Sequence, residues 1–143
     1  METTVEHYIL SQPVDRQGVL TDIHSIILQE DKTVVPIVEP MMGKEMIVYK
    51  GKGLMKYGLA SVKSYMSLHV MPIYGSDKLS TKYKALLPKA SFQKGCINFK
   101  TADEMPLEIA RQLFADCSKI DLLKIREDYL EKKKLKGKAL GKS

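Results

Sequence analysis

Three strand-like runs crowd into residues 46–73, and they constrain the chain more than any other feature. Met46-Ile47-Val48-Tyr49-Lys50 ends at Gly51-Lys52-Gly53, residues 54–62 follow, and residues 65–73 come after Lys63-Ser64. A parallel pair needs a crossover of a dozen or more residues, so strands joined this tightly must pair antiparallel. In the third run Met66, Leu68 and Val70 point one way, while Tyr65, Ser67, His69 and Met71 point the other. The two faces of this strand therefore differ, one wholly apolar and one mixed.

The flanks read as helices. Residues 3–10 suit a short helix opening on Thr3 or Thr4, and Pro13 suits the first turn of a second helix over 13–30. There Leu20, Ile23, Ile26 and Ile27 recur at helical spacing. Residues 33–43 contain Pro36 and Pro40 and read as an irregular connection with short extended pieces. Residues 76–87 form a helix stopped by Pro88, and residues 96–100 a short strand with Ile97 and Phe99 on one face. A last helix starts near Pro106, buries Leu107, Ala110, Leu113, Phe114, Cys117 and Ile120, and runs through Tyr129. The expected fold is α+β: an antiparallel sheet of about four to five strands with helices before and after it. Residues 1–131 are read as a single domain and residues 132–143 as a basic, solvated tail without fixed structure.

Charge sorts along the same boundaries. The net +6 divides into −5 over residues 1–43, +9 over 44–100, −4 over 101–131 and +6 over the Lys-rich end. The folded part is thus neutral, with acidic ends around a basic middle. Two cysteines cannot make a disulfide framework, the N-terminus carries acids rather than a basic leader, and no apolar run approaches a membrane span. The expectation is a cytoplasmic protein with no membrane partner.

From Lys63 to about Phe114 the chain resembles the YdhG-like domain, a bacterial family of undefined function. That family's pattern is lysine–x–histidine–x–serine–leucine on a strand, a small helix, lysine–glycine–x–isoleucine–x–phenylalanine, and then proline–leucine opening a helix. Here Lys63-Ser64-Tyr65-Met66-Ser67-Leu68, Tyr83-Lys84-Ala85-Leu86-Leu87-Pro88-Lys89, Lys94-Gly95-Cys96-Ile97-Asn98-Phe99-Lys100 and Met105-Pro106-Leu107 occur in that order. Tyr65 stands where the family commonly has histidine, and Asn98 where a basic residue is frequent. The resemblance implies a curved antiparallel sheet between terminal helices. Some relatives are described as frataxin-like iron chaperones, which would make iron a partner here.

The residues themselves suggest three functional classes. The first is a pocket on one face of the sheet for a small anionic or aromatic ligand, lined by Tyr49, Tyr57, Lys63, Tyr65, Ser67, His69, Lys94 and Asn98, against the alternative that the three tyrosines pack beneath the flanking helices. The second is iron held by carboxylates of the first helices, Glu2, Glu6, Asp15 and Asp22. The third is non-specific nucleic-acid contact through the Lys-rich end, since lysine without arginine reads bases poorly. No nucleophile–base set is readable: there is no G-x-S-x-G, and neither Cys96 nor Cys117 has a basic neighbour in sequence. No enzyme activity and no cofactor are assigned. An edge strand could also pair with a second copy to give a homodimer.

Overall fold

The computed structural model describes residues 3–41, 43–93 and 95–140. Two helices, α1 (Thr3–Leu10) and α2 (Val14–Glu30), precede strands β1 (Val35–Met41), β2 (Lys44–Gly51), β3 (Leu54–Ser61) and β4 (Met66–Val70). Helices α3 (Met71–Tyr74) and α4 (Asp77–Leu86), strands β5 (Ser91–Gln93) and β6 (Cys96–Phe99), and helices α5 (Leu107–Ser118) and α6 (Leu122–Leu140) follow. The strands form one open, curved sheet in the order β1-β2-β3-β4-β6-β5, with every pair antiparallel. The fold class is α+β, as the meander requires.

The sheet has six strands rather than four or five, for identifiable reasons. Residues 35–41, expected to be irregular because of Pro36 and Pro40, form edge strand β1. Proline is tolerated there because one side of an edge strand has no ladder partner to receive an N–H. β5 has three residues, too few to show a period. The third run is shorter than expected, since Met71-Pro72-Ile73 turns into α3 with its proline in the first helical turn. The last helix is split. Asp121 accepts the Lys124 N–H at 3.2 Å and so caps a new helix, α6, after α5 has ended.

Helices cover one sheet face. Across β2, β3, β4 and β6 the residues Ile47, Leu59, Leu68 and Ile97 oppose one another in a row, and Tyr49, Tyr57 and Val70 form the next. All are buried in a continuous core that runs from Val5 to Cys117 and includes Leu20, Ile23, Ile27, Leu113 and Phe114. α2 also packs against α5. Lys52 (φ 54°) and Gly53 (φ 80°) make the tight β2–β3 link, whose paired positive φ values match the right-handed twist of the flanking strands.

The Lys-rich end expected to lack fixed structure is helical as far as Leu140, because leucine, lysine, glutamate and alanine all propagate a helix. Its side chains from Lys124 to Leu135 are exposed. Truncation after Glu131 should therefore change the urea midpoint by an amount equivalent to less than about 0.5 kcal/mol. A larger loss would mean that the end packs on the domain.

Candidate functional site

The open face of the sheet carries the polar half of the alternation. Ser67 and His69 on β4 stand opposite Asn98 and Cys96 on β6, and Ala60 and Gly58 on β3 face them from the other side. Antiparallel neighbours on one face lie within about 5.5 Å at Cβ, so these side chains meet because the backbone places them together. With Tyr65, Val62, Gln93, Lys44, Glu45, Met41 and Met46, all of these but Gly58 line a cleft of about 210 Å³. Its floor is apolar: Met46, Val48 and Ala60 are buried, with Met41 and Met55 packed over them. Gly58 permits this arrangement. A Cβ there would stand 2.5 Å from the Met46 Cε and 2.8 Å from the Met55 Cε.

The polar groups are partly committed to one another. Ser67 Oγ donates to Asn98 Oδ1 at 2.7 Å, leaving the Asn98 Nδ2 hydrogens to a long contact with Gln93 Oε1 at 3.5 Å. Cys96 Sγ lies 3.2 Å from His69 Nδ1. Burial lowers the His69 pKa and raises that of the Cys96 thiol, so at neutral pH the two meet as uncharged groups rather than as a thiolate–imidazolium pair. Among the described residues the formal charges at the rim, Lys44 and Glu45, cancel.

Four of the expected ligand residues converge here: Tyr65, Ser67, His69 and Asn98. Tyr49 and Tyr57 do not. They are fully buried on the helix-covered face, opposite each other in register, and their place in the Val70 row fixes that side. Lys63 is exposed in the β3–β4 turn and does not line the cleft; its carbonyl receives Arg16 Nη2 at 3.3 Å. The same guanidinium donates to Ser61 Oγ at 2.8 Å and Val62 O at 2.5 Å, and so ties α2 to the turn that presents Tyr65. Lys94 lies outside the described residues, as does Glu2. Glu6, Asp15 and Asp22 are exposed on α1 and α2, and among the described residues no three His, Cys, Asp or Glu side chains converge as metal ligands.

Cys96, Gln93 and the methionines are cleft residues beyond those the sequence suggested. Alternation in Cys96-Ile97-Asn98-Phe99 did carry the signal for Cys96, since it shares a face with Asn98. Its partner His69 could be recognised only from the β4–β6 register.

Two buried polar clusters lie on the helix face instead. Asp31 accepts from Lys56 Nζ at 2.8 Å, Tyr57 Oη at 2.7 Å, and the Thr33 backbone and hydroxyl at 3.0 and 2.5 Å. Burial alone would raise its pKa, but these donors outweigh that and hold it below the usual value. Lys56 reaches Asp31 because a bulge between Tyr49 and Lys50 opposes Met55 to Lys50 and leaves Lys56 as the additional residue. Nearby, His24 Nδ1 lies 2.6 Å from Tyr49 Oη, while its Nε2 is buried without a partner. A smaller cavity of about 130 Å³ beside Lys56 is a weaker candidate, because two of its three lysines are already paired, Lys52 with Asp121 at 2.6 Å and Lys56 with Asp31.

Burial depresses the pKa of both His24 and His69 below 6.5. Below 6.5 the unfolded chain takes up protons that the folded chain refuses, so stability falls as pH drops. The Tm should be level above pH 7 and decline between pH 6.5 and 5, ahead of carboxylate titration. A flat profile across that interval would contradict the buried, neutral state of these rings.

Among the described residues no helix is long and apolar enough to cross a membrane. Comparison of the chain with protein-family models, with curated proteins and with solved structures gives no match.

Proposed function

We propose that this chain is a small cytoplasmic binding domain of the YdhG-like kind, whose open sheet face takes an aromatic ligand bearing a carboxylate or carbonyl group. The observation that carries this reading is the convergence of Tyr65, Ser67, His69 and Asn98 on one face above a floor of methionines. Thioethers and the Tyr65 ring favour a flat π-system. The Asn98 amide hydrogens make only one long contact, to Gln93 Oε1, and so remain able to donate to an oxygen acceptor. Pockets for drug-sized ligands run to roughly 300–1,000 Å³, so a cleft of about 210 Å³ favours a single ring. Balanced rim charge argues for an acceptor group rather than a polyanion.

A thermal-shift screen of aromatic carboxylates and amides tests this. A ligand present at 100 times its Kd stabilises by about 2.7 kcal/mol, which in a domain of this size raises the Tm by roughly 5–10 °C. The shift should disappear in Asn98→Leu and shrink in Tyr65→Ala. If no compound of this class shifts the Tm, or the shift survives both substitutions, the proposal fails.

A further inference from the structure

Sulfur is concentrated on the open face. Met41, Met46 and Cys96 line the cleft, and Met55 packs on the same floor. The second cysteine, Cys117, is buried in the helical core, where burial pushes its thiol up to about 12. Cys96 differs in being half-exposed and 3.2 Å from an imidazole nitrogen. That pairing follows from register, since His69 and Cys96 are direct partners in the β4–β6 ladder. On the far side of His69 stands Gly58. A Cβ on Gly58 would lie 3.4 Å from the His69 Cβ and closer still to the methyl ends of Met46 and Met55. The absent side chain thus leaves room beside the histidine that the methyl ends of Met46 and Met55 occupy.

We propose that this cluster binds a soft monovalent metal ion, Cu(I), with Cys96 Sγ and His69 Nδ1 as principal ligands and the Met46 thioether as a third. Thiolate and thioether sulfur select Cu(I), and imidazole suits copper as well. The step balances without any change of oxidation state: the S–H bond of Cys96 breaks, its proton goes to solvent, and the sulfur lone pair binds the ion. Met46 has the rotational freedom to complete the set, as an unbranched side chain whose end lies across Gly58. Zinc is disfavoured, because its structural sites take four N, S or O ligands and no third His, Cys, Asp or Glu joins this pair among the described residues. The proposal stands independently of any organic ligand in the cleft.

The test is an anaerobic titration of the full chain with Cu(I) in competition with a chromophoric Cu(I) chelator. One ion per chain is expected. Loss of a group that merely orients a metal ligand costs about 10- to 100-fold in affinity. His69→Leu removes a ligand itself and should cost at least about 100-fold, and Cys96→Ser should lose more. Met46→Leu should cost several-fold, and Cys117→Ser should change nothing. If Cys96→Ser proves unstable, alkylation of Cys96 in the native protein must abolish binding in its place. Retention of Cu(I) by the Ser variant or the alkylated protein overturns the proposal. So does an unaltered affinity in His69→Leu, which would reduce the site to a lone thiol.

Discussion

Asp31→Ala should cost about 3–5 kcal/mol of unfolding free energy, the range for removing one partner of a buried ion pair. The carboxylate is fully buried and accepts four hydrogen bonds from Lys56, Tyr57 and Thr33. Without it the Lys56 ammonium, itself almost wholly buried, has lost its counter-charge, and the Tyr57 hydroxyl has lost its acceptor. The damage comes chiefly from those stranded groups rather than from the strength of the pair. A double replacement, Asp31→Leu with Lys56→Met, should therefore recover most of the loss. The wild-type pair also sets an acid limit. A carboxyl with a depressed folded pKa contributes stability above its unfolded value near 3.8 and loses that contribution as pH falls through the folded pKa. Urea denaturation of the single and double variants at pH 7 provides the check; a single-variant loss under about 1 kcal/mol would show that the charges are not confined as described.

Tyr57→Ala should be as damaging, at about 3–5 kcal/mol, the cost of truncating a large buried aromatic side chain. The Tyr57 ring meets Phe114 edge-on, with centroids 5.0 Å apart and planes at 87°, and its hydroxyl anchors Asp31. Tyr65→Ala, at the cleft rim and over a third exposed, should cost less than about 0.5 kcal/mol. The two tyrosines, alike as candidate ligand residues in sequence, thus separate into a core residue and a site residue. Equal losses from the two substitutions would undo that assignment.

That separation shows where sequence reasoning reached and where it stopped. Alternation in Met66–Val70 correctly divided β4 into an apolar and a polar face, and Tyr65, Ser67 and His69 do lie on the cleft side. Within one strand the side-chain period is enough. Carrying a face from strand to strand requires register, and a shift of one residue exchanges every side chain. Without register the sequence cannot decide whether Tyr49 and Tyr57 line the pocket or pack beneath the helices, and Lys56 gives no sign of burial because a bulge turns it inward. The link between His69 and Cys96 crosses α3, α4 and β5, a separation that no local pattern spans. Pro36 and Pro40 concealed β1 because an edge strand tolerates what an inner strand would not.

The central claim is that the open sheet face is the binding surface. Amide chemical-shift mapping on isotopically labelled protein, with an aromatic carboxylate taken from the thermal-shift screen, tests it most directly. The account predicts saturable shifts at Ser67, His69, Cys96 and Asn98, with Tyr49 and Tyr57 on the opposite face unmoved. Shifts centred on Lys52, Lys119 and Asp121 would place binding in the cavity beside Lys56 and contradict it.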